Sequence, residues 1–481
     1  MIKKLTDNIL AVMTGIIVCW SKIQKYRNDE KDMISKLKWK NFNALGNLEL
    51  DFSKSDETVY NTIVLAGENG TGKTTILDTL ASYLNKNSIK PFEYIDYIVG
   101  GIKYHIIPND KYAYNGFHTR TNTRTGKVET VHTGRGSSEA FINEDVEDFR
   151  HYGFAYSKAR SGFNTQRVQV VTTQQVDREK YEPDMQEDFT RVKQLLIDIE
   201  GQDSSEWFKQ SETGGLSDVK YEAFKKQSKG YRFEKAFNNF FDDIKYVGVD
   251  HDDLQEKKVL FEKHGNRISV DQLSTGEKQI VFRGAHLLKN IKSIAEGIVL
   301  IDEPELSMHP LWQKKILDYY RGLFVNDGVQ TVQMIVATHS EYVIQSAFKD
   351  RGNVLVIVLT DENGIIKAKS ITAPFVLPSN TIAETNYLAF GVSSTDYHIE
   401  LYGQLQTKTG KHRIEDCDFY ITQQPQYVKT LHEKLDNSYP GHHYQTLPTY
   451  IRNAIDHPDS GRFYTESELK TSIELLIELC K

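Results

Sequence analysis

An eight-residue stretch, Gly67-Glu68-Asn69-Gly70-Thr71-Gly72-Lys73-Thr74, constrains this chain more than any other feature. It fits the pattern GxxxxGK[ST], follows an apolar run at residues 62–66 and precedes the apolar periodicity of a helix at residues 75–80. Glycines in this pattern let successive backbone N–H groups converge on an anion, and the start of the next helix adds its positive end. The stretch therefore predicts a strand, a phosphate-binding loop and a helix.

The residue types assign roles within this loop. We expect Lys73 to reach the β- and γ-phosphates of ATP and the hydroxyl of Thr74 to coordinate Mg²⁺. ATP and Mg²⁺ are thus the expected cofactors. The other candidate contacts to the nucleotide are Gly67, Asn69, Gly70, Gly72 and Thr75.

Two further strands carry polar residues at their ends. Residues 297–301 form a continuous apolar run, typical of a parallel sheet buried on both faces, and Asp302 and Glu303 follow it. Asp302 is a candidate Mg²⁺ ligand, and Glu303 is a candidate general base for the attacking water. The apolar run at residues 333–337 precedes His339, a candidate contact to the γ-phosphate. The alternatives are solvated carboxylates for the first pair and a structural histidine for the second.

The segment Leu273-Ser274-Thr275-Gly276-Glu277 completes the pattern. Together these segments resemble the ATPase head of the ABC and SMC-type superfamily, and in particular the ABC-type ATPases of bacterial anti-phage systems. The PtuA-type ATPases of the Septu and retron-associated systems are the most similar group, and the ATPase of the PARIS system is a neighbour. Thr275 stands where a second glycine is common, and Glu277 where glutamine is common.

The resemblance implies a fold and an assembly. The fold is α/β, an ABC-type P-loop ATPase head with a mixed sheet and helices. Ser274, Thr275, Gly276 and Glu277 would bind the nucleotide of the opposite subunit, which implies a homodimer or a higher homo-oligomer of heads. A helix N-cap at Ser274 with Glu277 as a capping box explains the same residues, and both readings can hold together. Gln174 or Gln175 would be the glutamine that senses metal and water.

The chain divides into five expected regions. Residues 1–32 form an N-terminal apolar helix or extension, and residues 33–187 the first part of the ATPase head with the phosphate loop. Residues 188–262, rich in charge and aromatics and without heptads, form a helical insertion. Residues 263–380 form the second part of the head, with the signature, the acidic strand and the histidine. Residues 381–481 form a mostly helical region for partner binding or oligomerisation.

Composition and the N-terminal segment bear on the compartment. A net charge of −7 argues against broad nucleic-acid affinity, and three cysteines without metal-type spacing fit a reducing, cytoplasmic compartment. The apolar segment at residues 9–20 is too short to span a bilayer comfortably, so a membrane is not an expected partner. A helix that docks on another subunit is the preferred reading, ahead of a membrane-associated segment or a non-native extension.

The C-terminal region bears on the purpose of the ATPase. Asp361-Glu362-Asn363-Gly364 fits a hairpin turn better than a toprim metal site, whereas Arg452 and His457 fit the R-N-x₃-H pattern of HEPN ribonucleases. A helix terminus explains the same arginine and histidine without catalysis.

The expected function is an ATP-binding and hydrolysing subunit of an anti-phage complex. It would gate or scaffold a separate nuclease effector of HNH or toprim type, encoded alongside, in response to a phage-derived trigger or nucleic acid. The alternatives are a self-contained ATPase with a HEPN-like ribonuclease and a RecF-like DNA-repair ATPase.

Overall fold

The computed structural model describes residues 32–109, 118–131, 133–135, 140–142, 148–159, 168–178, 181–183, 189–214, 218–250, 256–371, 376–436 and 443–481. The apolar segment at residues 9–20 lies outside them. Among the helices within these ranges, none combines the length and the apolar character that crossing a bilayer requires.

The strands, in chain order, are β1 (Met33–Trp39), β2 (Glu49–Asp51), β3 (Thr62–Gly67), β4 (Phe92–Val99), β5 (Ile102–Pro108), β6 (His118–Asn122), β7 (Val128–Val131), β8 (Thr133–Arg135), β9 (Ala140–Ile142), β10 (Phe154–Ser157), β11 (Tyr181–Pro183), β12 (Ile244–Asp250), β13 (Lys258–Lys263), β14 (Asn266–Ser269), β15 (Ile298–Asp302), β16 (Val325–Asn326), β17 (Val329–Gln330), β18 (Gln333–Thr338), β19 (Val354–Glu362), β20 (Ile365–Ser370), β21 (Glu433–Asp436) and β22 (Tyr444–Thr446).

The helices are α1 (Lys73–Leu84), α2 (Phe189–Gly214), α3 (Asp218–Gln227), α4 (Tyr231–Phe240), α5 (Thr275–Lys278), α6 (Gly284–Lys289), α7 (Pro310–Leu323), α8 (Glu341–Ala347), α9 (Ile382–Phe390), α10 (Thr395–Thr409), α11 (Ile414–Thr422), α12 (Lys429–His432), α13 (Leu447–Asp456) and α14 (Glu466–Cys480). A π-helical turn at Gln279–Arg283 joins α5 to α6.

A seven-stranded sheet forms the centre, with the order β11-β10-β15-β18-β3-β19-β20. The pairs from β11 to β19 are parallel, and β20 adds an antiparallel edge. Every residue of β3, β15 and β18 is buried, as expected for strands covered on both faces. Because these three strands are parallel neighbours, their carboxyl ends bring the phosphate loop, Asp302 and Thr338 to one edge of the sheet.

A second, antiparallel sheet has the order β2-β1-β4-β5-β6-β7. The side-chain amide of Gln333, at the start of β18, accepts from the N–H of Ile34 and donates to its carbonyl oxygen, both at 2.9 Å. This pair of hydrogen bonds joins β1 of the antiparallel sheet to β18, the middle strand of the central sheet. Buried side chains of both sheets and of α1 form one hydrophobic core.

The region expected to be a helical insertion is helical only in its first part. Helices α2 to α4 end at Phe240, and a three-stranded antiparallel sheet, β12-β13-β14, follows. The expectation of helix to residue 262 is therefore wrong for β12 and β13. Frequent charged residues hid the strand pattern, but Val259 and Phe261 are fully buried, and the ring of Phe261 lies 6.1 Å from that of Phe237.

Residues beyond 376 contain helices α9 to α14 and one short hairpin, β21-β22, around a separate hydrophobic core. The last helix begins with a capping box between Thr465 and Glu468. The expected turn between β19 and β20 is also present, with Asn363 and Gly364 at φ values of 57° and 82°.

Candidate nucleotide-binding site

The phosphate loop connects β3 to α1 and depends on two glycines. Gly67 and Gly72 have φ values of 145° and 83°, which disfavour residues with a Cβ. A Cβ on Gly67 would lie 2.4 Å from the carbonyl oxygen of Leu359, and one on Gly72 would lie 2.5 Å from the Cδ2 atom of Leu45. The backbone contact therefore requires glycine at position 67, and the positive φ favours it at position 72.

Lys73 begins α1 and folds back over the loop. Its Nζ atom donates to the carbonyl oxygens of Gly67 at 2.8 Å and of Glu68 at 2.7 Å. Burial lowers the pKa of Lys73 to about 8, although the nearby carboxylates of Glu303 and Asp302 oppose that shift. The ammonium is thus held by neutral carbonyls, which phosphate oxygens can replace.

The other predicted loop residues surround this ammonium. Asn69 and Gly70 are exposed at the tip of the loop, and Thr75 is half-buried in the first turn of α1. Gly70 has a φ of 84°, so it also favours glycine. The loop is therefore open to solvent on the side where a ligand would enter.

Thr74 and Asp302 meet at the edge of the central sheet. The hydroxyl of Thr74 donates to the Oδ2 atom of Asp302 at 2.9 Å. Burial raises the pKa of Asp302, and the neighbouring Glu303 adds to this shift against the hydrogen bond from Thr74. A hydroxyl and a buried carboxylate are oxygen ligands that suit Mg²⁺, and a divalent cation would favour the ionised carboxylate. The donor set therefore fits Mg²⁺.

Glu303 and His339 are in contact next to Thr74 and Asp302, the candidate Mg²⁺ ligands. The Nε2 atom of His339 lies 3.2 Å from the Oε1 atom of Glu303. This hydrogen bond, together with the positive charge of Lys73, lowers the pKa of Glu303 below its usual value even though burial opposes the shift. Glu303 also has a φ of 44°, a left-handed conformation that is uncommon for a residue with a side chain. Its carboxylate is thus held in the ionised form that a general base needs.

The position of His339 depends on Glu305, whose role the sequence patterns did not predict. Glu305 is only 8% exposed, and its Oε1 atom accepts from the Thr338 hydroxyl at 2.6 Å, the N–H of His339 at 2.8 Å and the N–H of Ser340 at 3.2 Å. These bonds fix the turn that leads from β18 to α8. The sequence showed a carboxylate two residues after Glu303, but nothing in the sequence indicated which groups it would bind.

Arg283, in the π-helical turn, is a second residue that sequence reasoning missed. Its buried guanidinium donates to the carbonyl oxygens of Asp302 at 2.6 Å and Glu303 at 2.8 Å, and to the hydroxyl of Ser157 at 2.8 Å. The arginine therefore ties the signature helix to the ends of β15 and β10. An arginine inside the mostly apolar segment at residues 280–288 was the available signal.

The signature segment begins with the capping box weighed from the sequence. The Ser274 side chain accepts from the N–H of Glu277, and the Glu277 carboxylate accepts from the N–H of Ser274 at 2.7 Å. The Nζ atom of Lys263, at the end of β13, lies 2.5 Å from the Oε1 atom of the same carboxylate. Burial favours the neutral form of Glu277, but Lys263 and the bonds from Ser274 outweigh it and lower the pKa. The carboxylate of Glu277 is therefore ionised and engaged within its own chain.

The signature turn also packs against the loop after β15. A Cβ on Gly276 would lie 2.8 Å from the carbonyl oxygen of Ser307 and 3.4 Å from the ring of Trp312, so glycine is required there. Ser274 and Thr275 are exposed. The hydroxyls of these two residues are therefore accessible to a ligand that is bound by residues outside the signature segment.

Gln174 and Gln175 are not brought to the Thr74–Asp302 pair. The segment before them is irregular and runs along α2, where the side chain of Gln202 donates to the carbonyl oxygen of Gln174 at 2.8 Å. The side chain of Gln175 accepts from Arg178 at 2.9 Å. Their assignment to the metal site is therefore wrong for this structure, because both residues form hydrogen bonds within their own region instead.

Arg452 and His457 lie at the end of α13, in the C-terminal core region. Arg452 forms an ion pair with Asp456 at 2.5 Å, and His457 is the exposed C-cap of the helix. The structure thus places the arginine against its helical neighbour rather than against the histidine.

A phosphate loop, an acidic strand and a histidine meet at one edge of a mostly parallel sheet, and a signature turn carries two exposed hydroxyls. These features define an ATPase domain with an ABC-type P-loop head. The AAA ATPase domain family matches residues 158–344, a stretch that contains the signature, the acidic strand and His339.

Individual relatives make the comparison more specific. The chain is 23% identical over 358 residues to the Septu protein PtuA of Bacillus mycoides (strain KBAB4), an alignment that covers 71% of this chain and 42% of the relative. It is 28% identical over 127 residues to the Retron Vc95 probable ATPase of Vibrio cholerae serotype O1 biovar El Tor, covering 24% of this chain and 23% of the relative. The chain thus spans less than half the length of both relatives. The resemblance stated from the motifs is confirmed by these relatives.

A solved structure, the SMC head domain from Thermotoga maritima, aligns with 71% of this chain and 99% of its own at 14% identity, with a TM-score of 0.33.

Proposed function

We propose that this chain is an ATPase subunit of an anti-phage complex, in which nucleotide-dependent dimer changes control a separate nuclease effector. One observation carries the proposal: Lys73, Thr74, Asp302, Glu303 and His339 converge on one sheet edge, while Ser274 and Thr275 of the signature are exposed. A site of this kind needs a second head to supply a signature.

The chemistry follows from the side chains at the sheet edge. Lys73 exchanges its carbonyl partners for phosphate oxygens, and Thr74 and Asp302 would hold Mg²⁺, which neutralises phosphate charge. The ionised Glu303 accepts a proton from the attacking water. His339, fixed by Glu305 and in contact with Glu303, is placed to respond to the γ-phosphate.

The dimer supplies the regulatory step. Ser274, Thr275 and Gly276 of one head would contact the nucleotide bound to the other, so two ATP molecules would favour a closed arrangement. Hydrolysis would remove those contacts and favour an open one. The link through Arg283 would pass the change at the signature helix to the ends of β15 and β10.

The partner part of the proposal rests on the resemblance to the PtuA and retron ATPases. It includes an effector of HNH or toprim type encoded alongside, a phage-derived trigger or nucleic acid, and a cytoplasmic location. Residues 33–187 and 263–380 would form the head, and residues 381–481 would provide a surface for the partner or for oligomerisation.

Purification of the tagged chain from its native operon tests the proposal. We expect a stoichiometric nuclease to copurify, and its toxicity to change in Lys73→Ala and Glu303→Gln. Glu296→Gln is the matched control. It replaces an exposed glutamate just before the start of β15, at the opposite end of that strand from Glu303, and it should behave as wild type.

Other results would favour other functions. A partner-free chain whose toxicity disappears in His457→Ala would support a self-contained ribonuclease. ATP-dependent binding to duplex DNA without a partner would support a repair ATPase.

A further inference from the structure

A cavity of about 310 Å³ lies in the helical region, away from the nucleotide-binding site. Helix α2 forms one side, α3 and the start of α4 form another, and β12 closes the end. None of the residues predicted to bind ATP lines it. The cavity therefore needs a separate explanation.

Aromatic rings form much of the wall. The ring of Trp207 lies 5.2 Å from that of Tyr221 and 5.3 Å from that of Phe224, and all three line the cavity. Phe208 also lines it and is 63% exposed. Ring faces grouped in this way attract organic cations such as ammonium and guanidinium groups.

The charges in the cavity are mainly negative, and its three carboxylates differ in their partners. Asp203 accepts from the backbone N–H groups of Lys229 and Gly230, and Glu234 forms an ion pair with Lys225 at 2.9 Å. The third carboxylate, Glu200, has no ion pair among the described residues. It is therefore the group that a ligand cation would neutralise.

The surroundings of Glu200 make such a ligand favourable. Burial raises the pKa of Glu200, and the carboxylates of Asp203 and Glu234 add to the shift, against the positive charge of Lys225 and a hydrogen bond with Tyr246. Gly248 lies opposite with a φ of 121°, and a Cβ there would be 3.5 Å from the Oε1 atom of Glu200. Glycine at this position keeps the carboxylate uncovered, so a cation could approach it.

We propose that this cavity binds the basic side chain, arginine or lysine, of a partner protein. The carboxylate of Glu200 would pair with the cationic group, and the rings of Trp207 and Tyr221 would enclose it. Exposed Phe208 and Val247 at the rim favour a polypeptide over a free small cation, because a polypeptide would cover them. The proposal rests on the proposed function for the presence of a partner, but its chemistry can be tested without one.

Titration of the full chain with agmatine, followed by tryptophan fluorescence and calorimetry, tests the cation site. We expect saturable binding that Glu200→Gln weakens by about tenfold or more. Glu206→Gln is the matched control, because it removes an exposed carboxylate from the same helix outside the cavity. Absence of agmatine binding, or equal binding by the two variants, would overturn the proposal.

Copurification with the operon partner tests the source of the cation. The partner should associate with wild type and Glu206→Gln but less with Glu200→Gln. If agmatine binding is lost in Glu200→Gln while partner association is unchanged, the site does not bind a partner side chain. ATP binding by Glu200→Gln, measured in the same samples, separates this outcome from failure of the ATPase assignment or of folding.

Discussion

The Nε2 atom of His339 lies 3.2 Å from the Oε1 atom of Glu303, at the ends of two neighbouring parallel strands. The histidine that would meet the γ-phosphate and the carboxylate that would activate water are therefore in direct contact. Loss of the histidine should therefore raise the pKa of Glu303.

Replacement of Glu303 by glutamine should separate binding from hydrolysis. Glutamine keeps the size of the side chain but cannot accept the proton from water. We expect ATP hydrolysis to fall by about 10²- to 10⁴-fold while ATP binding persists. Single-turnover phosphate release and binding of a fluorescent ATP analogue would measure the two effects, with Glu296→Gln as the control. Hydrolysis near the wild-type rate in Glu303→Gln would remove Glu303 from the mechanism.

Replacement of His339 by alanine should move the acid limb of the pH profile of kcat/KM to higher pH. The hydrogen bond with His339 favours the ionised form of Glu303 and lowers its pKa, so its removal raises that pKa. Glu303 then protonates at a higher pH, and activity is lost earlier as the pH falls. His339→Gln, which keeps a donor, should shift the limb less. An unchanged limb in both variants would contradict the coupling.

ATP binding should take up protons in alkaline solution. The pKa of Lys73 is lowered to about 8, so above that pH the free chain carries mostly neutral Lys73. Phosphate oxygens favour the ammonium, so binding at about pH 9 should take up a proton, whereas binding at about pH 7 should take up much less. Calorimetry in buffers with different ionisation enthalpies measures this uptake. Lys73→Arg, which stays charged, is the control, and equal uptake at both pH values would contradict the prediction.

Replacement of Arg283 by methionine should destabilise the head. The change removes the arginine donor of the buried carbonyl oxygen of Asp302 and one of two donors to that of Glu303, which should lower the free energy of unfolding by about 2–4 kcal/mol. Urea denaturation measures this change. Arg267→Met, at an exposed position on β14, should stay within about 0.5 kcal/mol of wild type. A similar result for Arg283→Met would show that the buried network adds little.

Two variants that are inactive alone should regain ATPase activity when mixed, if each site combines the phosphate loop of one subunit with the signature of the other. Lys73→Ala damages the phosphate loop, and Ser274→Arg damages the signature. In a mixed dimer one site combines an intact loop with an intact signature, so the mixture should recover on the order of a quarter of wild-type activity. Hydrolysis assays after co-refolding or coexpression measure this recovery. A mixture of two folded variants that stays inactive would argue against binding in trans.

The sequence was most informative where function needs particular residue types in a fixed order. Glycine spacing and apolar runs predicted the phosphate loop and the buried strands. Lys73 and Asp302 could therefore be placed at one sheet edge from the sequence alone. Arg283 and Glu305 could not be assigned in this way, because their partners are backbone groups whose positions depend on the folded structure. Gln175 shows the opposite case. Its residue type suggested a role at the metal site, but its side chain forms a hydrogen bond with the nearby Arg178 instead.

The hydrogen bonds between Gln333 and Ile34 bear on how the head can be divided. The matched stretch at residues 158–344 contains β18 but lacks β1 and β3, which supply the partner of Gln333 and one neighbour of β18. A fragment limited to that stretch would have a buried amide without its partner and an open sheet edge, a combination that promotes aggregation. A fragment limited to residues 158–344 should therefore not fold by itself, and it would need β1 and β3 to be expressed as a soluble domain.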